Sequence, residues 1–245
     1  ARPPPVCAFR SPPRGRRSAV DYAPAVAEPC GELASAWLGR GGAGGALQPQ
    51  PPVSGLEAER QKLATRSARR YGFHATLKPP MRLAPDMTLD DLVHSLERFS
   101  SRNAPVALGR LAPRNISGFL ALTPRTQEDE LAGFAAQCVT EFDNCRAPLS
   151  SSERHRRMNG ALTDRQKELV SAYGYPYVLE QFQLHMTLTD RLDPDTLEAM
   201  RMAASEWFAP VLERHVTLDR LVLFREDEPG APFRRVRDFP LAGAQ

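Results

Sequence analysis

One short pattern occurs twice in this 245-residue chain, and it constrains the fold more than anything else in it. Tyr71-Gly72-Phe73-His74-Ala75-Thr76-Leu77-Lys78 is the first copy, and Gln183-Leu184-His185-Met186-Thr187-Leu188-Thr189 is the second. Both read apolar-His-x-Thr-Leu, and the histidines stand 185 − 74 = 111 residues apart. In an extended strand alternate side chains share a face. His74, Thr76 and Lys78 are therefore expected on one face, with Phe73, Ala75 and Leu77 behind them. His185 and Thr187 are expected to share a face in the same way, backed by Leu184, Met186 and Leu188.

The chain has five histidines, and two of them sit in these matching contexts. His94 lies on a helix flank, His155 in a basic run and His215 before the last strands, and each is read as a surface or satisfied residue. Two histidines and two threonines facing each other suit few chemistries. A protein metal site needs three or more ligands and carboxylates behind them. No acid lies inside either motif, so no metal and no cofactor is expected. A serine hydrolase of the nucleophile-elbow type needs G-x-S-x-G, which is absent. Phosphoryl transfer by an acid–base pair fits best. With an unperturbed pKa near 6.5, one imidazole can take a proton from the attacking oxygen while the other gives one to the leaving oxygen. The threonine hydroxyls can hold the non-bridging oxygens. Which histidine is base and which acid is left open by the sequence.

The rest of the chain frames these strands. Residues 1–17 are rich in Pro and Arg and carry no acid, so a disordered tail is expected. Ser18–Tyr22 reads as a strand that Asp21 interrupts. Helices are expected over 28–38, 54–67, 88–99, 128–142, 150–158, 163–173 and 194–214, with Thr88 as an N-cap and Thr163–Gln166 as a capping box. Further strands are expected over 106–111, 118–122, 216–224 and 233–239. Each motif strand is followed by helix, strand, strand. This weak repeat predicts an α+β fold of two pseudo-twofold-related lobes. Each would be an antiparallel sheet with helices on its outer face, set around a central cleft. The chain is read as one bilobal domain over 18–241, with lobes of about 18–125 and 126–241. A net charge of +3 is too small to argue for nucleic acid. No apolar run approaches the roughly 18–20 residues that span a bilayer. Four cysteines without a C-x-x-C pair read as reduced thiols of a cytoplasmic protein.

The two motifs, with the wider stretches RRYGFHATLKPP, CRAPLS and GYPYVLEQFQLHMTLTDRL, resemble the 2H phosphoesterase superfamily. They are similar to its uncharacterised bacterial branch associated with phosphonate-utilisation genes. The resemblance runs from about Ser18 to Leu241. It implies a two-lobed α+β fold and metal-independent chemistry at cyclic or 2′-linked phosphates, with His74 and His185 as the catalytic pair and Thr76 and Thr187 as phosphate binders. The first strand departs from the family's usual start, being less apolar.

Other site residues follow from position. Lys78 shares the face of His74 and is a candidate contact for a second phosphate. Arg146 is a candidate anion clamp, because a planar guanidinium binds phosphate bidentately. Tyr71 and Tyr177 flank the motifs and could stack on a base or sugar. The leading expectation is a cyclic phosphodiesterase for a small sugar or nucleotide phosphate. An RNA 2′,3′-cyclic phosphodiesterase or 2′-5′ ligase is the alternative enzyme, with an RNA end as partner. A phosphate-binding module without turnover is the alternative from another class. No membrane and no obligate protein partner is expected.

Overall fold

The computed structural model describes residues 15–41 and 45–243. The expectation for the N-terminal tail, Cys7 included, falls almost wholly outside these residues, although Arg17 already belongs to the first strand. The elements run β1 (Arg17–Tyr22), α1 (Pro29–Leu38), α2 (Ala58–Ala64), α3 (Arg66–Tyr71), β2 (Ala75–Met81), α4 (Leu89–Arg102), β3 (Val106–Gly109), β4 (Leu111–Ile116) and β5 (Phe119–Pro124). They continue with α5 (Asp129–Glu141), α6 (Ser151–Met158), α7 (Asp164–Tyr173), β6 (Met186–Thr187), α8 (Pro194–Trp207), α9 (Ala209–Leu212), β7 (Val216–Leu218), β8 (Arg220–Glu226) and β9 (Arg234–Pro240).

The fold is α+β, with antiparallel pairing throughout. One sheet has the order β2-β1-β8-β9, a second β4-β5-β6, and β3 pairs with β7 in a separate two-stranded ribbon. The repeat is visible as β1-α1-β2-α4-β3-β4 followed by β5-α5-β6-α8-β7-β8. Its last strands are exchanged: β4 of the first unit pairs with β5, and β8 of the second pairs with β1. The lobes are therefore not the consecutive halves 18–125 and 126–241. Each sheet takes strands from both repeats, so neither half could complete its sheet alone.

Local sequence explains most elements. In α4, Leu92, Leu96 and Phe99 are buried at helical spacing, and Thr88 and Asp91 form a reciprocal capping box. Thr163 and Gln166 do the same for α7, and Ser150 and Glu153 for α6. Strand β4 goes beyond the sequence expectation, because Pro113, Arg114 and Asn115 break the apolar pattern. It lies on a sheet edge, where a proline costs no ladder bond and polar side chains meet water. The single helix expected over 54–67 is two. Asp190, just after the second motif, accepts from the Ser67 backbone N–H at 2.9 Å and from its hydroxyl at 3.1 Å, and its own N–H donates to Ala64 at 2.6 Å. The chain is thus re-started at Arg66, and the second motif is tied to the helix that leads into the first.

The largest cluster of buried side chains spans both sheets, including Trp37, Leu77, Leu96, Phe99, Leu122, Met186, Leu188 and Leu223. The Trp37 indole donates to the Leu188 carbonyl at 3.2 Å, a further tie from the first half to the second motif. Cys30, Cys138 and Cys145 are buried free thiols. Among the described residues no helix is long and apolar enough to cross a membrane.

Candidate active site

β2 and β6 lie against each other where the sheets meet. Each carries its motif threonine, and each motif histidine immediately precedes its strand. The imidazoles are tethered identically. His74 Nδ1 lies 2.8 Å from the Gly72 carbonyl oxygen, and His185 Nδ1 lies 2.8 Å from that of Gln183. A carbonyl oxygen only accepts, so Nδ1 carries the hydrogen in both rings and Nε2 is left for a substrate. Gly72 is needed for its backbone, with φ of 98°; a Cβ there would meet nothing within 4 Å. Ahead of β6, the chain is stapled by the Gln127 amide, which accepts from Leu184 N–H at 2.8 Å and donates to the Phe182 carbonyl at 3.1 Å.

The surroundings of the two rings differ. Tyr71 stacks on His74 with centroids 3.6 Å apart and planes 12° apart, and Tyr71 stacks in turn on Phe233 at 3.9 Å. Phe224 closes another side of His74 at 6.0 Å. This burial pushes the His74 pKa down to about 4; the hydrogen bond to Gly72 opposes the shift, and the nearby His185 adds to it. Among the described residues His185 has one aromatic neighbour of this kind, Phe119, tilted at 5.8 Å. Across the strand pairs, Thr76 stands opposite Asp21 and Thr187 opposite Ala121.

Asp21 does not interrupt β1, contrary to the expectation from sequence. It lies within the strand, fully buried, with the Tyr71 hydroxyl donating to its Oδ2 at 2.9 Å. Burial raises its pKa well above its ordinary value, against the lowering effect of the Tyr71 hydrogen bond and of the Thr76 hydroxyl opposite. Its oddity in the sequence, an acid inside an otherwise apolar run, is the signal that could have marked it.

Lys78 and Arg146 do not face the histidines. Against one step of β1, from Asp21 to Val20, β2 advances from Thr76 to Lys78. That bulge breaks the alternation, and Leu77 and Lys78 are both buried. Lys78 Nζ reaches α5 and its end, donating to the Val139 carbonyl at 2.9 Å and to Asp143 at 2.6 Å. Arg146 comes to the segment after β2, pairing with Leu83 in an isolated bridge. Its guanidinium is occupied by both oxygens of Asp143 (2.9 and 3.1 Å) and by the Ala172 carbonyl at 2.8 Å. Both cations are thus held by one carboxylate. Burial works to raise the pKa of Asp143, and hydrogen bonds from Arg146 and Lys78 hold it below the ordinary value. Tyr71 packs on the catalytic candidate itself, and Tyr177 is half exposed, edge-on to Tyr175 at 5.6 Å. In the basic helix α6, Arg157 is turned inward to the Gly174 carbonyl at 2.6 Å. Among the described residues no group of three or more His, Cys, Asp and Glu stands close enough to hold a metal ion.

Residues 76–234 match the family described as "Protein of unknown function (DUF1045)". The chain belongs to that family. The matched span contains Thr76, His185 and Thr187 and begins two residues after His74. Among curated proteins, the chain is 36% identical over 231 residues to a "Ribose 1,5-bisphosphate phosphokinase PhnN" of Janthinobacterium sp. (strain Marseille), covering 93% of this chain and 51% of that protein. It is 34% identical over 224 residues to a protein of the same name from Laribacter hongkongensis (strain HLHK9), covering 90% and 51%. The chain thus spans about half the length of these curated relatives. Solved structures with a similar course include TT0787 of Thermus thermophilus, with TM-score 0.46, 16% identity and 94% and 100% of the two chains covered. Escherichia coli LigT complexed with 3′-AMP gives 0.40, 12%, 93% and 98%. These scores are too low for the likeness to bear on the site.

Proposed function

We propose that this protein is a metal-independent phosphoesterase of the 2H type that hydrolyses a small cyclic phosphate. The observation that carries this reading is the matched pair of imidazoles, each anchored through Nδ1 to the carbonyl two residues back, on strands that lie together. His74, kept neutral near pH 7 by its packing, is the general base. Water attacks phosphorus and its proton passes to His74 Nε2. The bond from phosphorus to one ring oxygen breaks, and that oxygen takes the proton of His185 Nε2. The product is a phosphomonoester with a freed hydroxyl, and proton exchange with solvent resets the pair. Thr76 and Thr187 hold the non-bridging oxygens.

The names of the longer relatives suggest the substrate class. A protein that acts on ribose 1,5-bisphosphate needs a ribose phosphomonoester, and opening a cyclic phosphodiester on a phosphorylated ribose supplies one. That would place the chain in phosphonate metabolism, as its resemblance implies, and in the cytoplasm. The test is turnover of cyclic ribose phosphates, cyclic nucleotides and RNA ends carrying 2′,3′-cyclic phosphate, in EDTA, by the parent, His74→Ala and His185→Ala. Turnover of a cyclic sugar phosphate by the parent and by neither variant is expected. Activity that EDTA abolishes, or that survives both substitutions, overturns the mechanism. Preference for the RNA end overturns the substrate class.

A further inference from the structure

We propose that Asp21 is a positioning residue of the first half-site, a carboxyl group that fixes the direction in which the Thr76 hydroxyl donates its proton. The inference rests on the reading of this site as a phosphate cleft and names a residue that the twin motifs do not contain. Asp21 sits on β1, between β2 and β8, opposite Thr76 on one side and Val222 on the other. It is closed from solvent, and Oδ1 has no hydrogen-bond partner among the described residues. The charged and titratable groups around it are few. Tyr71 donates to Oδ2. His74 lies beyond the Tyr71 ring. Glu226 of β8 acts on Tyr71 as well, but it takes the guanidinium groups of both Arg17 and Arg70.

Among the described residues no cation is therefore left to balance a charge on Asp21, and a carboxyl buried without one takes up a proton. The direction of its pKa agrees. Tyr71 is itself held protonated by burial and by Asp21, so its single hydrogen is committed to Oδ2. Oδ2 is then the carbonyl oxygen of the acid, and the acid hydrogen resides on Oδ1. That hydrogen needs an acceptor, and the hydroxyl directly across the strand pair is Thr76. Accepting from Asp21, Thr76 Oγ1 keeps its own hydrogen for a phosphate oxygen in the cleft. Were Asp21 ionised, Thr76 would donate backwards and present only lone pairs to an anion. The second half-site has Ala121 at the matching place, so Thr187 has no such partner across the pair.

The test uses inorganic phosphate as probe with the parent, Asp21→Asn, Asp21→Val, Thr76→Ala and the Asp21→Val/Thr76→Ala double variant. An asparagine amide can donate toward Thr76 and accept from Tyr71, as the protonated acid does. Phosphate affinity and turnover are expected to fall about tenfold in Asp21→Val, to stay within about threefold in Asp21→Asn, and to show no further loss from Asp21→Val once Thr76 is alanine. A carbon-13 NMR signal of the Asp21 carboxyl in its protonated form at pH 7 is expected as well. An ionised Asp21 at pH 7, an equal loss in both Thr76 backgrounds, or an asparagine variant as weak as the valine overturns the inference. A parent that neither binds phosphate nor turns over any cyclic phosphate overturns the phosphoesterase reading, and this inference with it. A parent that binds while the cycle shows no coupling sinks this inference alone.

Discussion

The two half-sites share a backbone and differ in upholstery. His74 and His185 have the same tether, the same threonine two residues on and the same leucine behind. Yet His74 is stacked on Tyr71 and closed by Phe224, whereas His185 has Phe119 tilted beside it. Opposite the threonines stand a buried acid in one case and an alanine in the other. The repeat therefore supplies two equivalent imidazoles, and the packing around them separates their roles. A neutral, desolvated ring suits a proton acceptor. The difference is local to side chains that no motif records.

The division of labour is tested most sharply by the leaving group. With a cyclic sugar phosphate, alanine at either histidine should lower kcat by about 10⁴-fold. With a nitrophenyl phosphodiester, whose leaving oxygen needs no proton, His185→Ala should recover most of that loss and His74→Ala should not. Equal recovery by both variants would break the assignment. A smaller effect is expected at the threonines: Thr76→Ala and Thr187→Ala should each cost about 10²-fold in kcat/KM, with serine restoring most of it. Next comes the acid limb of kcat/KM, expected near pH 4, where His74 titrates. Tyr71→Ala opens the ring to water, so the limb should move up toward about pH 6.5, followed by proton NMR of the imidazole. Tyr71→Phe keeps the stack and should leave the limb near pH 4.

How far this asymmetry could be read in the sequence depends on the range of the forces behind it. The motif pair, the capping boxes at Thr88 and Thr163 and the helix–strand–strand order are local, and they were legible. The exchange of β4 and β8 was not, because the pairing partner lies a whole repeat away and apolar patterning does not name it. The bulge at Leu77 left no mark in the sequence, and it sends Lys78 to Asp143 rather than toward His74. Arg146 had the right chemistry for an anion, but Asp143, three residues earlier, satisfies it first. Asp21 looked like a defect in a strand because a lone acid costs free energy in a core. Only Tyr71, arriving from distant sequence, gives it a hydrogen bond, and only the pairing with β2 sets Thr76 opposite it.

The smallest effect expected concerns stability, and it sets Asp21 and His74 against each other. The folded pKa of His74, about 4, lies below its ordinary 6.5, so between these values the unfolded chain binds more protons than the folded one. Stability contributed by the neutral ring is then complete above pH 6.5 and lost as pH falls toward 4, by about 2 kcal/mol at pH 5. Asp21 has the opposite sign. Its folded pKa is raised above 3.8, so the folded chain binds the extra proton, and stability declines as pH rises from 3.8 toward the folded value. Urea unfolding of His74→Gln should therefore show a shallower loss from about pH 6.5 to about pH 5 than the parent. Asp21→Asn should gain on the parent in the opposite direction, as pH rises through that range, because the amide has no proton to lose. If His74→Gln keeps the parent's full slope, the desolvation of His74 is not what distinguishes the two half-sites, and the assignment of His74 as base loses its physical ground.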